Sequence, residues 1–182
     1  MLEQIVNLVK ENANAAILNN PAIPADRKEE AIDAAGTSIA GGLQNILSQG
    51  GIKEVLSLFS AKSLDVTNNP VTEQITGSFI NSMSSKFGLS APEAGGIASS
   101  LVPAVLGQLI SKTNDPNDKS FDLQTILNQF SGGKTSGLNI DSIFNKFKAG
   151  LDKDGDGDVD LNDLKQMFSG SSSILDKIKG AF

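Results

Sequence analysis

The sequence contains no cysteine and no histidine, and it also lacks tryptophan and tyrosine. Without cysteine, neither disulfides nor thiolate metal sites can form. Without histidine, the chain has neither the commonest general base nor the usual zinc ligand, and it cannot build a catalytic triad that uses an imidazole. Carboxylates, lysine, arginine and hydroxyl groups are the reactive groups that remain. We therefore expect a protein that is not an enzyme.

Aromatic residues are also scarce, because nine phenylalanines are the only ones among 182 residues. A chain of this length can bury a substantial core. That core must be built from leucine, isoleucine, valine and alanine, with phenylalanine as its largest side chain. Eighteen glycines, together with many alanines and serines, predict helices that approach one another closely.

Charge of one sign is concentrated in a single stretch of the sequence. The segment from Asp152 to Asp163 holds six of the 21 acidic residues and one of the 15 basic residues, so the rest of the chain is nearly neutral. A nearly neutral body has no basic field that would attract nucleic acid or anionic lipid. We therefore expect no nucleic-acid partner.

Long apolar runs are missing as well. No run approaches the roughly 18 residues of a membrane span. The N-terminal stretch MLEQIVNLVKENANAA carries Glu3 early and only a short apolar run, unlike a secretory signal peptide. These features predict no membrane span and a cytoplasmic location, although a secreted protein whose signal had been removed would look the same.

Apolar residues recur at helical spacing along the whole chain, which predicts an all-α fold in the form of a helical bundle. An N-terminal helix carries Ile5 and Val9. A second helix opens at Pro24 and Asp26 and stops at the glycine pair 50–51. The apolar stripe of this second helix comprises Ile32, Ala35, Ile39, Leu43, Ile46 and Leu47.

The second half of the chain shows the same order of two longer helices and a short one. Short helices are predicted over 52–60 and over 123–131. Ser90 and Glu93 form a predicted capping box, and Pro103 is expected to bend the helix that follows the box. The apolar residues of the first long helix in this half are Ile75, Phe79, Met83 and Phe87.

We expect the chain to divide into a helical body, 1–134, and a C-terminal part, 135–182. The repeated helix order within the body has two explanations. One is a duplication that relates residues 1–62 to residues 71–134, and the other is convergent amphipathic patterning. SGGKTSG, 131–137, is predicted to be a flexible joint between the two parts.

The C-terminal part contains DKDGDGDVDLND, 152–163, which alternates carboxylates and places a glycine at the sixth of twelve positions. Calcium takes six to eight oxygen ligands, and a loop that curls around the ion can supply them from alternate residues. The glycine allows the sharp turn, and Val159 at the eighth position is expected to face away from the ion. The predicted ligands are Asp152, Asp154, Asp156, Asp158 through its backbone carbonyl, Asp160 through a water molecule, and Asp163.

An amphipathic helix is predicted directly before this loop, and another directly after it. The entering helix is predicted over about 140–151, with Ile140, Ile143 and Phe147 on one face. The exiting helix carries a second set of apolar residues, Leu161, Leu164, Met167 and Phe168. The alternative to a metal site is a solvated acidic turn that happens to fit the spacing.

The twelfth position of the loop holds Asp163, where calcium-selective loops usually carry glutamate. Aspartate is one methylene shorter and reaches the ion less easily with both oxygens. Ca²⁺ is therefore expected to bind with a dissociation constant of about 10⁻⁶ to 10⁻⁴ M, and Mg²⁺ is expected to compete for the loop.

The loop and its flanking helices resemble an EF-hand. Residues 113–122 are also acidic, but Pro116 stands where a second hand would need a ligand, so this stretch is predicted to be an ordinary loop. KFGLSAPEAGGIASSLVPAVLGQLI, within about 74–133, resembles the YidB-like family of uncharacterised bacterial proteins, and the first half looks like a diverged version of it. This resemblance implies an all-α fold with homeodomain-like helical units and no established activity.

These observations favour a calcium-binding scaffold or interaction protein. The alternative is a homeodomain-like DNA-binding protein, which would need clustered basic residues, whereas the only arginine is Arg27. EF-hands usually pair through the eighth-position residue, so Val159 predicts self-association or a protein partner. The apolar face of SSILDKIKGAF, 172–182, supports the same expectation. The competing explanation is that both features fold back on the chain's own body.

Overall fold

The structure is a computed structural model that describes residues 1–60, 66–115, 117–118 and 120–151, with side chains as far as residue 145. This part of the chain contains no strand. Its α-helices are α1 (Leu2–Ala13), α2 (Lys28–Ser48), α3 (Ile52–Ser60), α4 (Pro70–Phe87), α5 (Ala91–Asn114), α6 (Leu123–Phe130) and α7 (Ile140–Leu151). The predicted all-α fold class is confirmed. The homeodomain-like arrangement stays a prediction.

Short irregular turns connect the first two helices. A π-helical turn, Asn14–Leu18, extends α1, and a 3₁₀ turn, Ala25–Arg27, leads into α2. Pro24 and Asp26 therefore open a 3₁₀ turn rather than α2 itself. At its other end α2 stops before Gly50, whose φ of 91° leaves the helical region.

Aliphatic residues from all seven described helices make up most of the core, and phenylalanine is its largest side chain, as the composition predicts. All six residues of the predicted stripe on α2 are buried, and so are Ile75, Phe79 and Met83 of α4, whereas Phe87 is half-buried. On α1 the buried residues include Ile5 and Val9. The spacing of apolar residues therefore locates most of the core correctly.

Two glycines of α2 let neighbouring helices pack at short distances. A Cβ atom added to Gly36 would lie 2.6 Å from Cγ2 and 3.0 Å from Cα of Val6 on α1. A Cβ atom added to Gly42 would lie 2.8 Å from Cγ1 of Ile75 on α4. All three distances are below van der Waals contact, so α1 and α4 can lie this close to α2 only because these positions lack side chains.

The helices of the two predicted repeats pack on each other reciprocally. The long helix α2 contacts α4 and α6, and the long helix α5 contacts α1 and α3. α6 therefore packs on a long helix of the other unit, whereas α3 contacts a long helix of each unit. The duplication itself, and the division of the chain after residue 134, stay predictions.

α5 continues as one helix on both sides of Pro103. The Glu93 carboxylate at its start accepts hydrogen bonds from the backbone N–H of Ser90 at 2.8 Å and from its hydroxyl at 2.6 Å. These two bonds fix the entry of the chain into α5, at the place where the predicted capping box lies.

Two expectations for the segment after α6 need correction. Ile140 of the predicted stripe on α7 is buried, but Ile143 is 38% exposed and Phe144 is buried instead, so the buried face is shifted towards Phe144. The side chain of Phe147, the third member of the stripe, lies outside the described residues. The predicted flexible joint is a packed turn, because Ser131 and Thr135 are buried and their hydroxyl oxygens lie 3.4 Å apart. α7 is therefore preceded by a turn that is packed against the body.

Candidate functional site

The predicted calcium ligands are Asp152, Asp154, Asp156, Asp158, Asp160 and Asp163, and all six lie outside the described residues. The structure does describe the helix that leads to them. α7 is described from Ile140 as far as Leu151, the residue before Asp152. Its start agrees with the predicted start of the entering helix at about residue 140.

The N-terminal end of α7 is anchored in the body. The Ile140 side chain is completely buried in the common core, and α7 packs against α6 and α3. The side chain of Asn139 accepts a hydrogen bond from the backbone N–H of Ser142 at 2.8 Å, as an N-cap residue does. The entering helix of the predicted EF-hand is thus fixed at the end remote from the loop.

A single glutamine joins α7 to the turn that precedes it. The side-chain carbonyl of Gln124 on α6 accepts a hydrogen bond from the backbone N–H of Ile140 at 2.8 Å. Its amide nitrogen donates to the backbone carbonyl of Thr135 at 3.5 Å. Nothing in the sequence points to this role of Gln124, because a polar residue on a short amphipathic helix is ordinarily a solvent-facing one.

A cleft of about 410 Å³ lies where α7 meets the segment between α5 and α6. We call it the acidic cleft. Thr113 and Asn114 of α5 line it, together with four acidic residues and three apolar residues. The acidic residues are Asp115, Asp118, Asp122 and Asp141. The apolar residues, which are buried in the core, are Phe121, Leu123 and Phe144.

Three of the four carboxylates help to hold the local backbone. Asp115 accepts from the backbone N–H of Asn117 at 2.8 Å, and Asp118 accepts from the backbone N–H of Ser120 at 2.9 Å. Asp122 is the N-cap of α6 and accepts from the backbone N–H of Thr125 at 2.7 Å. These bonds hold the described residues between α5 and α6 in a loop.

Lysine 112 supplies the one cation near these carboxylates among the described residues. Its ammonium nitrogen lies 3.8 Å from a carboxylate oxygen of Asp118 and 5.7 Å from the ring centre of Phe121. Hydrogen bonds from Ser120, and then the charge of Lys112, lower the pKa of Asp118. The remaining carboxylates form no ion pair within the described part of the chain.

The acidic cleft does not have the arrangement of a metal site. Within the described ranges, no three acidic side chains converge closely enough to hold an ion. This finding does not bear on the predicted calcium loop, which lies outside those ranges. The cleft is better described as a negatively charged surface with apolar residues at its base.

The only arginine is occupied by contacts within the body. Arg27 forms two hydrogen bonds with the Glu30 carboxylate, at 2.8 and 3.0 Å. It also donates to the backbone carbonyl of Lys86 at 3.1 Å, and its guanidinium lies 4.5 Å from the ring centre of Phe87. Arg27 therefore joins the start of α2 to the end of α4.

One described helix, α5, is long and apolar enough to cross a membrane by length and composition. Half of its most apolar stretch is buried inside the body. This burial is what a core helix shows, so the structure gives no clear membrane span in the part of the chain that it describes.

Comparisons with protein-family models, with curated proteins and with solved structures found no match for the chain. The resemblances to the YidB-like family and to an EF-hand therefore stay predictions from the sequence.

Proposed function

We propose that the protein is a non-catalytic, calcium-binding helical interaction protein with one EF-hand per chain. The observation that carries this proposal is the position of α7, which is helical as far as the residue before the acidic loop. An EF-hand needs a helix that runs directly into the first ligand position. The described part of α7 reaches Leu151, and Asp152 is the first position of the twelve-residue pattern.

The proposed role of the ion follows from the charge of the loop. Without a cation the loop carboxylates repel one another, and a bound Ca²⁺ replaces this repulsion with attraction. The effect reaches the body through α7, because Ile140 and its bond to Gln124 hold the far end of that helix. Ion binding is thus expected to stabilise the body as well as the loop.

The proposal is tested by calorimetric titration of the metal-free full chain with Ca²⁺ and with Mg²⁺. We expect one equivalent of Ca²⁺ per chain, with Mg²⁺ competing. The double variant Asp152→Ala/Asp156→Ala should lose this binding. The variant Asp26→Ala/Asp33→Ala removes the same number of acidic residues elsewhere and should bind as the unmodified chain does. One equivalent with unchanged affinity in the loop variant would show that the site is wrong.

The alternative, a homeodomain-like DNA-binding protein, has little support from the described surface. Arg27 is engaged with Glu30 and with the end of α4. Specific recognition requires several basic residues on one element that is free to enter a groove. Sequence-selective binding of duplex DNA that persists at about 150 mM salt would favour this alternative, since non-specific phosphate contacts weaken there.

A protein partner completes the proposed function. EF-hand loops pair through the eighth-position residue, so Val159 is proposed to contact a second copy of the chain or another protein. Light scattering with and without Ca²⁺ distinguishes a second copy from a different partner.

A further inference from the structure

We draw no further inference here: the strongest candidate, the groove between α1 and α2 that Leu2, Val6 and Asp33 line, carries nothing, because no contact or charge pattern in the described part of the chain shows what covers it.

Discussion

Gln124 on α6 accepts a hydrogen bond from the first backbone N–H of α7, that of Ile140, at a distance of 2.8 Å. Ile140 is completely buried, so this donor has no access to water. Gln124 therefore couples the body to the helix that leads to the predicted calcium loop.

Replacing Gln124 with alanine should lower the free energy of unfolding by about 1–2 kcal/mol, because the N–H of Ile140 would lose its acceptor. Gln129→Ala, at an exposed position of the same helix, should change the free energy of unfolding by less than about 0.5 kcal/mol. Urea denaturation measures both values. Equal effects of the two substitutions would contradict the assigned role of Gln124.

Substitution by alanine should change the stability of the protein in opposite directions at two adjacent glycines of α2, Gly41 and Gly42. Gly42→Ala places a methyl group 2.8 Å from Ile75 and should destabilise the protein by about 1–3 kcal/mol. A methyl group on Gly41 meets no atom within 4 Å, so Gly41→Ala should stabilise the protein by up to about 1 kcal/mol through helix propensity. Thermal denaturation of the two variants measures the difference, and a shift in the same direction for both would be inconsistent with the close packing of α2 on α4.

The identity of residue 163 should determine how well the loop distinguishes calcium from magnesium. Asp163→Glu lengthens the side chain, favours bidentate coordination and should strengthen Ca²⁺ relative to Mg²⁺. Competition titrations of the full chain provide the measurement. An unchanged ratio of the two affinities would exclude side-chain length at this position as the reason for weak selectivity.

The start of α5 should make stability depend on pH. Hydrogen bonds from the hydroxyl and backbone of Ser90 lower the pKa of Glu93 below its ordinary 4.5. A carboxylate with a lowered pKa contributes stability above 4.5, and this contribution is lost as the pH falls through the folded-state value. Glu93→Gln should therefore lower the melting temperature at pH 7, with the difference shrinking at pH values below 4.5.

Glu54→Gln provides the control for this experiment, since Glu54 is an exposed acid in the first turn of α3. The change in melting temperature caused by Glu54→Gln should not shrink at acid pH, as the change caused by Glu93→Gln does. The same pH profile for both variants would mean that the capping contact of Glu93 is not its cause.

Self-association should depend on the eighth position of the loop. Light scattering at about 100 μM, well above a micromolar dissociation constant, is expected to show dimers in the presence of Ca²⁺. Val159→Asp should restore the monomer without removing any predicted ligand. If the unmodified chain is a monomer both with and without Ca²⁺, the predicted self-association is excluded, except for very weak pairing, and Val159 would have to contact a different partner.

The helices and most of the core could be predicted because each depends on spacing within one segment. The orientation of α7 could not, since Ile143 and Phe144 are both apolar and only the positions of α6 and α3 decide which is buried. The acidic cleft could not be predicted either. Asp122 and Asp141 are brought together by the packed turn after α6, and no periodicity in the sequence encodes that contact.

The predicted calcium loop, in contrast to the acidic cleft, depends only on local sequence. All of its predicted ligands come from twelve consecutive residues, so their spacing alone predicts the chemistry. The apolar stripes on α1, α2 and α4 could likewise be predicted from the spacing of residues within each helix. Contacts between distant segments, such as that of Gln124 with α7, depend on the complete fold.

The reciprocal packing of the two helical units has a consequence for the nascent chain. Asn12 on α1 donates to Gln108 on α5, a partner 96 residues later in the sequence. Translation at about 5–20 residues per second separates their synthesis by roughly 5–20 seconds. During this interval the apolar face of α1 cannot be covered by α5, and aggregation or chaperone binding competes with folding. Slower translation would prolong this exposure.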